Sequence, residues 1–206
     1  MSSVPMLTAQ ECVLLLQELR AGRPGGPGTR HGTRNWGMAM VMLEAGLRVG
    51  ELVGLDVGDL VFRGDPVRTL VVRAEVAKRH KERQVPVSVR LHGAILDLMR
   101  LVWAPAGCGS CDAAWCCGPS RRRVTARQVE SIVRRAGLAA LGRPVHPHML
   151  RHTFGSRMEA VAGIRVAQEL LGHEDIRTTQ IYTHPSADRL LAAVNGRCSP
   201  EREGGT

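Results

Sequence analysis

Apolar positions recur at helical spacing over most of the chain and at strand spacing over one stretch. In Leu7 to Arg20 (LTAQECVLLLQELR), Val13, Leu14, Leu16 and Leu19 predict the buried stripe of a first helix. Thr8 is placed to cap it, with Glu11 three residues on as the return partner of a capping box. The segment Ala21 to Arg34 is rich in Gly, Pro and Arg and predicts a connector rather than a helix. A buried helix is expected from Asn35 to Ala45. Between Asp59 and Ser88 the period shortens. Leu60 to Phe62, Thr69 to Val72 and Arg83 to Val87 read as three strands of one small antiparallel sheet. The turn Arg63-Gly64-Asp65-Pro66 separates the first two, and the basic loop Ala77 to Glu82 forms the tip of the hairpin made by the last two.

Helical spacing returns at Leu91 to Val102. It continues at Ala126 to Leu138 behind a Thr125 cap, and from Pro147, a residue suited to a first helical position. Further helices are expected at Arg165 to Leu171, with Gly172 as the stop, at Ile176 to Tyr182 and at Ser186 to Val194. Asn195 to Thr206 is polar and is expected to be a disordered tail. The fold class is therefore mainly α with a small antiparallel β-sheet (α+β). A chain of 206 residues suits one domain with a substantial core, here residues 7–194.

Composition narrows the partner. Lys and Arg number 28 against 19 Asp and Glu, a formal charge of +9, which favours a polyanion by long-range attraction. Only 3% of residues are aromatic, too few for a protein that stacks single-stranded bases, so contacts to duplex phosphates fit better. No apolar run is long enough to span a bilayer, and the N-terminus lacks the order of a signal peptide; a cytoplasmic protein without a membrane partner is the expectation. Four of the six cysteines crowd into one segment, unlike a disulfide framework. Cys108, Cys111, Cys116 and Cys117 could form a thiolate zinc cluster, although free thiols are the simpler reading and no metal is expected to serve the chemistry.

Chemistry concentrates near the C-terminus. His148 and Arg151 form a His-x-x-Arg pair on one helix face. Gly172-His173 lies at a helix end, and Tyr182 is the chain's single tyrosine. Proton-transfer groups, a cation for phosphate and an aryl nucleophile together suit covalent chemistry on a phosphodiester. Arg48 sits among apolar neighbours, where an unpaired cation would be costly, so it needs either a carboxylate such as Glu51 or a bound phosphate. The basic residues Arg79, Arg121, Arg122 and Arg123 are candidate DNA contacts, or equally a solvated face.

With AGLRVGELVGL, KRHKERQVPV, HPHMLRHTFG and LLGHEDIRTTQIYTH in this order, the sequence resembles the tyrosine recombinase (phage integrase) family, Xer-like, over Leu7 to Val194. The resemblance implies that family's catalytic-domain fold. It implies that Tyr182 attacks the scissile phosphorus, forming a 3′-phosphotyrosyl link and freeing a 5′-hydroxyl. By the same resemblance Arg48 and Arg151 grip the non-bridging oxygens, as guanidinium forks suit phosphate. Lys78 would be the general acid, with Lys81 as the alternative. His148 would help move the tyrosine proton, His173 would donate to a phosphate oxygen, and Glu51 would orient Arg48 or His148.

The implied activity is site-specific recombination, with no metal, ATP or other cofactor. The implied partner is double-stranded DNA, bound at a synapse by a homotetramer of protomers that are monomers in solution, with a partner recombinase or accessory protein as a further expectation. Leu190 and Leu191 would supply an apolar contact to a neighbouring protomer. The same residues would also serve a type IB topoisomerase-like nicking-closing enzyme, and a non-catalytic DNA-binding regulator would share the fold. The chain departs from the family in its cysteine segment and in Ala77, where a glycine is common before the lysine. It departs again in His146, where Ser or Thr is frequent, and in having only about six residues before the first helix, with no N-terminal core-binding domain expected in this chain.

Overall fold

A single long helix forms the centre of the protein. The computed structural model describes residues 6–22, 29–74, 82–116, 122–172 and 187–196. The helices are α1 (Ala9–Ala21), α2 (Arg30–Ala45), α3 (Val49–Gly54), α4 (Val57–Leu60), α5 (Val89–Leu98), α6 (Ala104–Ala106), α7 (Ala126–Leu141), α8 (Pro147–Ala162), α9 (Ile164–Leu171) and α10 (Ala187–Val194). The central element is α2, buried from Met38 to Ala45 and packed against α1, α5 and α8. A π-helical turn, Met99–Trp103, joins α5 to α6.

Local signals set most helix ends. The Thr8 hydroxyl accepts the Glu11 N–H at 3.2 Å and the Glu11 carboxylate accepts the Thr8 N–H at 2.9 Å, a complete capping box. The other Glu11 oxygen holds Arg143 at 2.6 Å, so the cap also ties α1 to the segment between α7 and α8. A second box, Thr125 with Gln128, starts α7. The α1 stripe differs from expectation: Leu15, Leu16 and Leu19 are buried, while Val13 and Leu14 are 42% and 38% exposed. Cys12, Leu15, Leu16 and Leu19 follow the i, i+3, i+4, i+7 rhythm, and Val13 and Leu14 lie off its phase. The expected connector also ends early. Thr29 caps a helix that begins at Arg30, its hydroxyl accepting the Gly32 N–H at 3.1 Å. A cap contributes about 1 kcal/mol, enough to offset the roughly 1 kcal/mol that one helical glycine costs.

The strands form two sheets rather than one. Among the described residues Val61–Phe62 (β1) pairs only with Asp65–Pro66 (β2), and Thr69–Val72 (β3) pairs with Arg83–Pro86 (β4). Arg63 and Gly64 both have positive φ, 51° and 86°, the geometry of a two-residue hairpin turn that folds β1 straight back on β2. The cysteine segment is exposed from Gly109 to Cys111 and then packs into the fold. Ala113, Ala114, Trp115 and Cys116 are buried, and backbone bonds link Ala114 to Leu55, Val57 to Asp112 and Gly58 to Ser110. The Trp115 indole donates to the Leu52 carbonyl at 2.7 Å, so this segment braces α3 and α4.

The tail helix α10 packs on its own domain, against β4, α8 and α9. Ala193 and Val194 are buried and Leu190 is half-buried against the core of its own domain, while Leu191, the other leucine expected to meet a neighbour, is 42% exposed. Asn195, expected to begin a disordered tail, is bonded to Val89 N–H at 2.9 Å. Among the described residues no helix is long and apolar enough to cross a membrane.

Candidate active site

The turn between α2 and α3 begins the site. Gly46 ends α2 in the left-handed region, φ 63°, and a Cβ there would lie 2.3 Å from the Phe154 ring of α8. This close approach brings the Gly46 carbonyl to Arg151 Nη1, which donates to it. Two residues on, Arg48 stands at the N-cap of α3. Its backbone N–H donates to Glu51 Oε2 at 2.8 Å and its Nη1 to Oε1 at 2.9 Å. The expected pairing of Arg48 with Glu51 is present, yet the Arg48 side chain stays 32% exposed at the edge of a pocket.

Glu51 is 1% exposed, and Arg83 of β4 grips it with two parallel bonds, Nη1 to Oε1 at 2.8 Å and Nη2 to Oε2 at 2.7 Å. This is the bidentate geometry in which a guanidinium pairs most strongly with a carboxylate. Arg83 Nε also donates to the Leu170 carbonyl at 3.3 Å, at the end of α9. Gly172 follows in the left-handed region, φ 64°, and a Cβ there would lie 2.9 Å from Arg83 Cδ. Glycine is therefore required here for both the turn and the arginine stem. Arg151, buried on α8, donates from Nη2 to the Leu171 carbonyl at 2.8 Å, and its Nη1 lies 3.8 Å from Glu51 Oε2.

Three guanidinium groups thus surround one carboxylate. Burial alone would push the Glu51 carboxyl up, but Arg83, then the Arg48 N–H and guanidinium, hold it at about 2. Arg151 is brought down to about 9, first by burial and then by the nearby Arg48 cation, with Glu51 opposing and Arg83 adding to the fall. Among the described residues the cluster sets three cations around one carboxylate, an arrangement that favours an arriving anion.

Arg48, Glu51, Arg151 and exposed His148 line one open pocket of about 500 Å³, walled by Leu47, Val49 and Pro147. His148 sits in the first turn of α8 behind His146, which occupies the N-cap without a side-chain cap bond. Larger clefts exist, one of about 590 Å³ with Arg34, Arg122, Arg123 and Arg135, another of about 670 Å³ with Glu18, His31 and Arg135. Among the described residues neither brings a histidine beside a buried arginine.

The structure therefore gathers Arg48, Glu51, His148 and Arg151. Lys78, Arg79, Lys81, Cys117, Arg121, His173 and Tyr182 lie outside the described residues. Arg122 is exposed. Arg123 directs its donors inward, to the carbonyls of Val53 and Leu55 at 2.9 and 3.0 Å and to Asp56 at 2.5 Å, so bracing of the α3–α4 corner accounts for it. Cys108 and Cys116 have sulfurs 3.7 Å apart and Cys111 is exposed. Among the described residues no three His, Cys, Asp or Glu side chains gather as a metal would need. Arg83 is the residue the sequence reading missed. A signal was present: it alternates with Val85 and Val87, both buried, so it shares the inward face of β4, where a cation requires a carboxylate.

The model of the phage integrase family matches residues 5–189. The chain belongs to the phage integrase family. Among curated relatives of this phage integrase chain, tyrosine recombinase XerC of Stutzerimonas stutzeri (strain A1501) is 41% identical over 154 residues, covering 73% of this chain and 48% of the relative. Tyrosine recombinase XerD of Brucella suis biovar 1 (strain 1330) is 40% identical over 185 residues, covering 86% and 57%. The chain spans about half the length of the curated relatives it matches. Its fold superposes on the crystal structure of XerA recombinase with a TM-score of 0.67 at 27% identity, over 92% of this chain and 63% of XerA. The mainly helical architecture with small antiparallel sheets is thus the phage integrase catalytic fold.

Proposed function

We propose that residues 7–194 are the catalytic domain of a site-specific DNA recombinase that cuts and rejoins duplex DNA through a covalent 3′-phosphotyrosyl intermediate. The observation that carries this reading is the open pocket in which Arg48 and Arg151 share a cationic cluster with His148 at its mouth. A phosphodiester in this pocket would meet two guanidinium groups suited to its non-bridging oxygens. They would offset the charge that builds as phosphorus becomes pentacoordinate. His148 would help remove the proton of Tyr182, a weak nucleophile as a free phenol near pH 7. Lys78, with Lys81 as the alternative, would protonate the leaving 5′-oxygen, and His173 would donate to a non-bridging oxygen; these roles follow the family pattern in the sequence. The attack exchanges one phosphoester for another, so no ATP is consumed, and four protomers on two duplexes are the expected assembly.

The test is capture from a randomised library of nicked duplexes. Adducts that survive SDS are collected and their DNA is sequenced. Wild-type protein should yield adducts with a free 5′-hydroxyl on the released strand, and Tyr182→Phe should yield none. Adducts persisting in Tyr182→Phe would identify another nucleophile. Retention of DNA without any adduct would favour a binding protein.

A further inference from the structure

Arg83 has no part in the roles assigned above, yet it makes the strongest contact to the carboxylate at the centre of the pocket. Its fork covers both oxygens of Glu51. Its side chain is only 9% exposed, and its Nε reaches the Leu170 carbonyl. The adjacent carbonyl, that of Leu171, accepts from Arg151. We infer that Arg83 is a positioning residue that occupies both oxygens of Glu51, so that the carboxylate does not draw Arg151 and Arg48 away from a phosphate. This inference rests on the phosphate-pocket reading above and deepens it.

The argument is one of competing partners. Glu51 Oε2 lies 3.8 Å from Arg151 Nη1 and Oε1 lies 2.9 Å from Arg48 Nη1. A carboxylate buried so close to both would neutralise the groups that must hold an anion. Arg83 supplies a third cation and saturates both oxygens from the side of β4. Glu51 can then brace Arg48 through its backbone N–H without capturing Arg151. Without Arg83, the buried carboxylate would turn to the remaining arginines, because a buried charge left unpaired is strongly unfavourable. The pocket would keep its shape and lose its pull on anions.

The experiment uses the full chain and tungstate, an inorganic stand-in for phosphate, titrated calorimetrically, with circular dichroism and melting curves to verify folding. Arg83→Ala should weaken tungstate binding by at least about tenfold, the equivalent of one charged hydrogen bond. Arg83→Lys, which keeps the charge but not the fork, should fall between the two. The deciding variant is Arg83→Ala combined with Glu51→Gln: with the carboxylate's charge removed, tungstate affinity should return to near the wild-type value. Wild-type affinity in Arg83→Ala would overturn the inference, and so would a double variant that stays weak, since that outcome marks Arg83 as a packing residue. A wild-type chain that does not bind tungstate would overturn the phosphate pocket itself and this inference with it, whatever the DNA capture shows.

Discussion

Two buried glutamates stand seven residues apart (51 − 44 = 7) on either side of the α2–α3 turn, and each collects arginines. Glu44 accepts from the Ser88 hydroxyl at 2.9 Å and pairs with Arg90 at 3.1 Å and Arg157 at 3.3 Å. Those arginine side chains are 61% and 36% exposed, so their charge is shared with water. Around Glu51 the partners Arg83 and Arg151 are 9% and 5% exposed, and only Arg48 reaches solvent, through the pocket. The same residue types therefore make two devices. Near Glu44 they join α2, α5 and α8 with little net field. Near Glu51, among the described residues, three arginines meet one carboxylate beside a pocket that an anion can reach.

The largest break in this comparison is expected from removing one arginine on each side. Arg151→Ala should slow adduct formation on a captured duplex by on the order of 10³-fold, the scale seen when a donor to a developing oxyanion is lost. Arg157→Ala removes bonds to Glu44 and to the Leu43 carbonyl, at 3.3 and 2.8 Å, and should leave the adduct rate within about threefold. Single-turnover rates for both variants check this. Equal losses would mean that the two clusters do not differ in kind.

Acid should separate the glutamates next. Glu51 is held at about 2, below its ordinary 4.5, by Arg83 and Arg48 against the opposing effect of burial. A depressed carboxyl contributes stability that is fully present above its unfolded value and is lost as pH falls through the folded one. The contribution, about 3 kcal/mol, should thus be present above about pH 4.5 and fade toward pH 2. Urea unfolding of Glu51→Gln at several pH values should show a deficit near that size at pH 7, shrinking steadily in acid. Glu44→Gln, whose arginines face water, should lose only about 1 kcal/mol at pH 7. A Glu51→Gln deficit that does not shrink in acid would show that shape, not charge, holds the cluster.

What the sequence made legible follows the range of each signal. Thr8, Thr125 and Gly172 mark helix ends through bonds to residues within one turn, Pro147 marks one through its fixed φ at the first helical position, and all stand where their neighbours predict. Arg48 with Glu51 is a pair three residues apart and was readable in the same way. The second sheet was hidden because a positive φ at Arg63, a residue with no special preference for it, closes β1 on β2. The grip of Arg83 on Glu51 spans 32 positions: the alternation with Val85 and Val87 announces that Arg83 needs a carboxylate, but no local pattern says which one. The run of cysteines drew attention to their sulfurs, whereas the segment's contribution to the site is Trp115 and its bond to Leu52, directly after Glu51.

The smallest effect is expected at Asn195, beside the Glu44 cluster. Its Oδ1 accepts the Val89 N–H at the start of α5, and its Nδ2 donates to the Leu191 carbonyl at 3.0 Å in the last turn of α10. The side chain thus closes one helix N-terminus and one C-terminus together, next to a groove that Glu44, Arg90 and Arg157 line. Asn195→Ala leaves both groups to water rather than burying them unpaired, so the cost should be about 1 kcal/mol. For a domain of this size that lowers Tm by roughly 2 to 4 °C. If the Glu44 side is only a structural lock, the adduct rate should not change, since nothing at Asn195 alters the charge around Arg151. An Asn195→Ala protein that melts normally yet cleaves slowly would instead show that the docking of α10 reports to the pocket, and the division between the two glutamates would not hold.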